Sequence, residues 1–178
     1  MSEEIRTRMV ALLPRLRRFA CALTGDPEQG DDLVQETCLR ALSRVEQWQP
    51  GTRLDSWMYR IAQNIWYDRV RASRVRGETV DIDAVETIAG ADGRDVAESR
   101  LTLEAVGAAM ARLPPDQRAL VALVCVEGFS YKEAADIAEV PIGTVMSRLA
   151  RARRALHDML NEPAPAARAL APKTGSQS

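Results

Sequence analysis

Apolar positions recur along this chain at three- and four-residue intervals, the spacing that lines one face of an α-helix. Ile5, Met9, Leu12, Leu16, Phe19 and Leu23 make the first such stripe. Pro14 lies within it and, lacking an amide donor, predicts a kink. Thr24-Gly25-Asp26 ends the run. Asp26 is placed to cap a second helix, with Pro27 at the first helical position, where a missing amide costs nothing. Val34, Cys38, Ala41, Leu42 and Val45 form the inner stripe of that helix. Asp31, Asp32, Gln35 and Glu36 fall toward its outer side or its start. Gln49-Pro50-Gly51 reads as a turn, and Thr52 as the cap of a third helix carrying Leu54, Trp57, Met58, Ile61, Ile65 and Val70 inward. This first unit closes near Arg76.

Residues 77–95 break the pattern. They are acidic, contain Gly90 and Gly93, and read as a flexible linker with at most a helical turn around 85–88. Periodicity returns with a helix over about 98–113. Another follows Pro114-Pro115, bringing Leu120, Leu123 and Val124 inward as far as Gly128. Ser130 and Glu133 then stand at capping-box spacing. Ala134, Ala135 and Ala138 are small enough for a close helix crossing, and Ile137 supplies the apolar contact. Val140-Pro141-Ile142 interrupts the run, and a further helix begins near Gly143 and Thr144. Its inner stripe is Val145, Leu149, Ala152, Leu156 and Leu160. Its opposite face carries Met146, Ser147, Ala150, Arg151 and Arg154, with Arg148 and Arg153 at the flanks. The expected architecture is all-α: two small helical domains at 1–76 and 96–160, joined by the acidic linker at 77–95. The second domain ends in a helix-turn-helix, and a Pro-, Ala- and Ser-containing tail at 161–178 reads as disordered.

Charge sharpens this picture. Lys and Arg number 24 against 25 Asp and Glu, so the total argues for no particular partner, and the local distribution decides. Residues 60–76 hold five arginines and one acid, whereas 78–98 hold seven acids and one arginine. No acid occurs between Ile142 and Leu156, which suits a helix that approaches phosphates. An arginine-rich helix is often only a solvated face. The capped helix, the Val-Pro-Ile turn and the acid-free helix after it together favour DNA binding.

Other chemistries find little support. The three cysteines (Cys21, Cys38 and Cys125) lack metal-site spacing and the one histidine is His157, so no metal site is expected and the thiols read as buried and reduced, as in cytosol. A glycine-rich phosphate loop and a nucleophile with a paired base are both lacking, so neither cofactor nor catalytic residues are expected. No long apolar run or leader is seen, which predicts a cytoplasmic chain without membrane insertion.

Four strings add a family to this reading: DDLVQETCLRAL at 31–42, LDSWMYRIAQN at 54–64, LPPDQR at 113–118 and GFSYKEAADIAEVPIGTVMSRLARAR at 128–153. In this order the chain resembles the bacterial extracytoplasmic-function sigma factors of RNA polymerase, over residues 10–160 apart from the linker. The resemblance implies that Asp31, Asp32, Gln35 and Glu36 dock on the polymerase core, whose β′ and β subunits are the expected partners; helix-start chemistry is the alternative for Asp31 and Asp32. It implies that Trp48 and Asn64 lie near a base flipped from the minus-ten element, with Arg60, Arg69, Arg71 and Arg74 on that strand's phosphates. Trp48 is expected to project from the loop before the third helix, with core packing as its alternative. Trp57 is expected in the core, and Trp66 is open between core and surface. At the minus-thirty-five element the resemblance implies Thr144, Ser147, Arg148, Arg151, Arg153 and Arg154. Many relatives carry Lys or Arg where this chain has Met146 and an aromatic or longer residue where it has Ala150. Shape readout through phosphates is therefore expected to carry more of the specificity. An anti-sigma factor is an expected partner. Two rival readings stay open: a stand-alone helix-turn-helix regulator, and a helical module that sequesters a regulator.

Overall fold

The computed structural model describes residues 3–49, 51–77 and 94–161, with side chains described from 103 onward in the last of these stretches. Seven α-helices account for almost all of it: α1 (Glu3–Thr24), α2 (Pro27–Ser43), α3 (Leu54–Arg76), α4 (Arg94–Ala111), α5 (Pro115–Val121), α6 (Tyr131–Ala138) and α7 (Ile142–Asn161). No strand occurs among the described residues. A 3₁₀ turn (Val45–Gln47) follows α2, and a π-helical turn (Ala122–Val126) extends α5. Of the expected linker at 77–95 and tail at 161–178, residues 78–93 and 162–178 lie outside the described residues, while Arg94 and Asp95 fall in α4 and Asn161 in α7.

The caps explain most of the boundaries. Asp26 accepts the Gln29 amide at 2.7 Å, and Pro27 opens α2. Ser130 and Glu133 close a reciprocal capping box on α6. Glu139, in the left-handed region at φ 54°, ends α6 and lets the chain turn through Val140-Pro141 into α7. Thr52 does not cap α3: its hydroxyl donates to the Gln49 carbonyl at 2.7 Å, inside the turn before the helix. α1 runs as one helix through Pro14. α4 begins at Arg94, several residues earlier than the apolar periodicity suggests.

In the first helical group α1, α2 and α3 pack around Leu16, Phe19, Leu23, Leu33, Met58 and Ile65, each almost fully buried. α1 and α2 approach closely at Gly30, where an added Cβ would sit 2.7 Å from the Cys21 sulfur and 3.1 Å from its backbone. A Gly30→Ala substitution should therefore cost about 1–3 kcal/mol through overpacking. Chemical denaturation checks this, and an unchanged midpoint would show that α1 shifts freely. In the second group Leu120, Leu123, Ile137, Val145 and Leu149 form the centre. Two members of the expected inner stripes, Leu42 and Leu160, are each 44% exposed: Leu42 turns outward beside buried Ala41, and Leu160 lies at the end of α7. Met159 packs on the core in place of Leu160.

The two groups are not separate bodies but share one continuous core. Phe19, Tyr59 and Phe129 form an edge-to-face chain across the boundary, with both centroid separations 5.0 Å; each such pair adds about 0.5–1.5 kcal/mol beyond its buried area. Arg118 of α5 donates to the Leu23 carbonyl at 2.9 Å and lies over the Trp66 ring. Trp66 is thus a core residue, 4% exposed. Cys21 and Cys38 are half-buried, and burial pushes both thiols above their ordinary range. Cys125 lies on the outer side of the π-helical turn and is exposed, against the expectation of burial.

Candidate functional site

Three surfaces carry the residues singled out by sequence. On α2, Asp32, Gln35, Leu39 and Leu42 are all exposed and fall within about 80° around the helix at 100° per residue. Their centre is apolar, since Leu39 is 69% exposed. Sequence reasoning passed over Leu39 and placed Leu42 inside; the signal that finds them is an apolar residue on the acidic face rather than opposite it. The expected quartet is divided. Asp31 is held at the edge by Arg17, whose Nε and a terminal nitrogen donate at 2.5 and 3.1 Å, and these bonds hold its carboxyl below the usual range. Glu36 receives Arg40 at 2.7 Å and Arg69 at 2.8 Å, tying α2 to α3. Asp32 and Gln35 remain on the open face.

The second surface runs along α3. Arg60, Asn64 and Arg71 fall in one narrow stripe, within about 40° of each other. Asn64 is exposed. Arg71 is exposed and pairs with Asp68 at 2.6 Å, and Arg74 is exposed farther along. Arg69 lies about 140° around the helix from Asn64, where it serves Glu36. The structure therefore does not bring Arg69 together with the other arginines.

Trp48 does not project. The 3₁₀ turn after α2 swings it inward, to 8% exposure, with the Arg8 guanidinium over its ring at 5.7 Å. Its indole N–H is buried without a hydrogen-bond partner. With Gln47, Thr52, Arg53, Trp57 and Arg60 it lines a cavity of about 620 Å³. Trp57, expected in the core, is only partly buried there.

The third surface is α7. Val145, Leu149 and Ala152 are buried against α5 and α6. Opposite them Met146, Ser147, Ala150, Arg151 and Arg154 are exposed, and Thr144 is half-buried at the margin. Arg148 and Arg153, which sequence placed at the flanks, are engaged there. Arg148 pairs with Asp116 at 2.9 Å, and Arg153 donates to the Tyr131 hydroxyl at 3.1 Å. Both contacts brace α7 against its neighbours, leaving Ser147, Arg151 and Arg154 as the outward stripe. Replacing Arg151 with Ala should weaken binding to duplex DNA and reduce the slope of log affinity against log salt by about 1, one counterion being released per phosphate neutralised. A salt titration with an unchanged slope would remove Arg151 from the phosphate contacts.

Among the described residues no His, Cys, Asp and Glu group could hold a metal ion, and no helix is long and apolar enough to cross a membrane.

Residues 9–76 match the family model for sigma-70 region 2, and residues 103–156 the model for sigma-70 region 4. The extracytoplasmic-function sigma factor EcfG of Rhodopseudomonas palustris is 38% identical over 160 residues, covering 90% of this chain and 87% of that protein. The sigma factor SigE of Mycolicibacterium smegmatis is 38% identical over 149 residues, covering 82% of this chain and 57% of the relative. Among solved structures, the sigma factor RpoE of Bartonella quintana, in complex with the anti-sigma factor NepR, superposes with a TM-score of 0.73 at 30% identity. That match covers 89% of this chain and 98% of the other.

Proposed function

Because this chain belongs to the extracytoplasmic-function sigma factors of RNA polymerase, we propose that it joins the polymerase core, carries it to two-part promoters and helps to melt the start region. One observation carries the reading. A single chain presents an exposed acidic-and-apolar stripe on α2 and an outward arginine stripe on α7 that no acid of that helix neutralises before Asp158. A stand-alone regulator needs only the second of these surfaces.

In this reading residues 1–76 form the core-binding and minus-ten unit, and residues 96–160 the minus-thirty-five unit. Asp32, Gln35, Leu39 and Leu42 dock on the polymerase, with Asp31 and Glu36 setting the shape of that face through Arg17 and Arg69. The charge on α2 steers the encounter and fixes its register. Asn64, Arg60, Arg71 and Arg74 meet the minus-ten strand. Ser147, Arg151 and Arg154 meet the minus-thirty-five duplex. The chain acts in the cytoplasm, where polymerase is, and has no catalytic step of its own. The chain would serve a stress response under the control of an anti-sigma protein; the Bartonella relative, solved in complex with the anti-sigma factor NepR, supports that kind of partner.

Run-off transcription on genomic fragments with purified core, with and without the chain, tests the proposal. Initiation that requires both is expected. Duplex DNA binding without any core-dependent initiation would leave the stand-alone regulator in its place.

A further inference from the structure

We propose that Met146 is a specificity-determining residue of the minus-thirty-five surface, and that its side chain reads the C5-methyl group of a thymine in the major groove. The inference rests on the reading of α7 as a duplex-binding helix.

The outward face of α7 changes character along its length. Its later turns carry the exposed Arg151 and Arg154. Residues 142–147 carry no charge at all, and this is the end that a recognition helix turns toward base edges. Ile142 and Met146 stand one turn apart there, 50% and 54% exposed, and make an apolar strip open to solvent. Small residues surround Met146. Gly143, Ser147 and Ala150 are all exposed and lie within about 100° of it around the helix. Nothing in the packing of the chain requires a glycine at 143. An added Cβ would meet no atom within 4 Å, and the residue is not among those with positive φ. Glycine is also a poor helix former, so its smallness serves a surface that approaches from outside. Ser147 spends its hydroxyl proton on the Thr144 carbonyl at 3.1 Å. Met146 is thus the longest exposed side chain of these six residues, set in a clearing of small ones.

In unmodified DNA the thymine methyl is the one apolar group on the major-groove edges, and every other position is a donor or an acceptor. An apolar side chain pressed on those would desolvate them without repayment. A thioether on a flexible, unbranched chain adapts readily to a methyl. A protein partner could also cover an apolar strip, but the surroundings favour a polyanion: Arg151 and Arg154 follow on the same face, and no acid of α7 comes before Asp158. Met146 therefore adds a direct base contact to the phosphate-borne shape readout expected from the sequence.

The test uses the full chain without polymerase. Preferred duplexes are selected from a library with a random core between fixed arms, and each selected thymine is then replaced by uracil, which deletes only the methyl. At one thymine, uracil should weaken wild-type binding about fourfold. Met146→Ala should bind the thymine duplex more weakly by a similar factor and no longer distinguish thymine from uracil. Met146→Arg should change the preferred pair at that position to one carrying guanine, whose O6 and N7 accept a guanidinium bidentately. Because Met146 is exposed, circular dichroism of both variants should match wild type. Uracil tolerated at every selected thymine, or full thymine preference kept by Met146→Ala, overturns the proposal, as does a selection that returns no preferred sequence. Salt-dependent duplex binding that ignores the methyl would sink this inference alone. Run-off transcription by the wild-type chain reports on the polymerase reading separately.

Discussion

Replacing Leu39 with lysine is expected to weaken binding to the polymerase core about a hundredfold while leaving the melting temperature nearly unchanged. Leu39 is 69% exposed at the centre of the α2 stripe, so its side chain contributes little to the fold. Lysine is also a good helix former. In a docked complex the centre of such a stripe is where an apolar side chain is fully desolvated, and truncating one there costs about 2–4 kcal/mol. Asp32→Lys should act in the same direction through charge, with a smaller effect. Glu36→Lys would be an ambiguous probe, because it places a third cation against Arg40 and Arg69 and damages the α2–α3 contact itself. Titration of labelled chain with purified core, paired with thermal unfolding, separates these effects. Wild-type affinity in a stably folded Leu39→Lys chain would move the docking surface elsewhere.

The helices themselves were legible because their information is local. The Asp26 cap, the Ser130–Glu133 box and the inner stripes of α3 and α7 each lie within a few residues of the structure they specify. What failed depends on the ends of helices and on distant partners. Leu160 continues an apolar rhythm past the point where another element covers it, and Leu42 stands one position off the buried line of α2. Thr52 has the chemistry of a cap but finds the Gln49 carbonyl first. Glu127 stands beside Gly128 at the end of a helical segment and looks like an ordinary solvated acid. Its partners come from 68 and 112 residues away, a distance that no spacing rule reports.

The arginines follow the same division. An absence of acid along 142–156 is readable and correctly marks the outward face of α7. Which arginines are already engaged is not readable. Arg148 and Arg153 differ from Arg151 only by a rotation around α7, and that rotation decides whether a carboxylate, a phenol or solvent faces them. Arg60 belongs to the exposed stripe by its angle, yet it is covered by α6. Periodicity within one helix carries no information about a second helix laid across it.

Trp48 and Asn64, grouped by sequence as partners in melting, should now part company. Trp48→Ala removes a ring that is 8% exposed, and emptying such a site costs about 3–5 kcal/mol, or about 10 °C in melting temperature for a chain of this size. Its effect on transcription should follow that loss of stability and ease as temperature falls. Asn64 is exposed on α3, and alanine there favours the helix, so Asn64→Ala should melt within about 2 °C of wild type. Its amide both donates and accepts, which matches the edge of a base exposed only after unpairing. A bidentate amide contact to a base edge is worth about 1–3 kcal/mol, so open complex should fall about tenfold, with core affinity unchanged. A template already unpaired across the start region should restore most of the activity of Asn64→Ala and little of that of Trp48→Ala. Permanganate reactivity of unpaired thymines measures this directly. Wild-type reactivity on a duplex promoter with Asn64→Ala would return Asn64 to the solvated surface of α3.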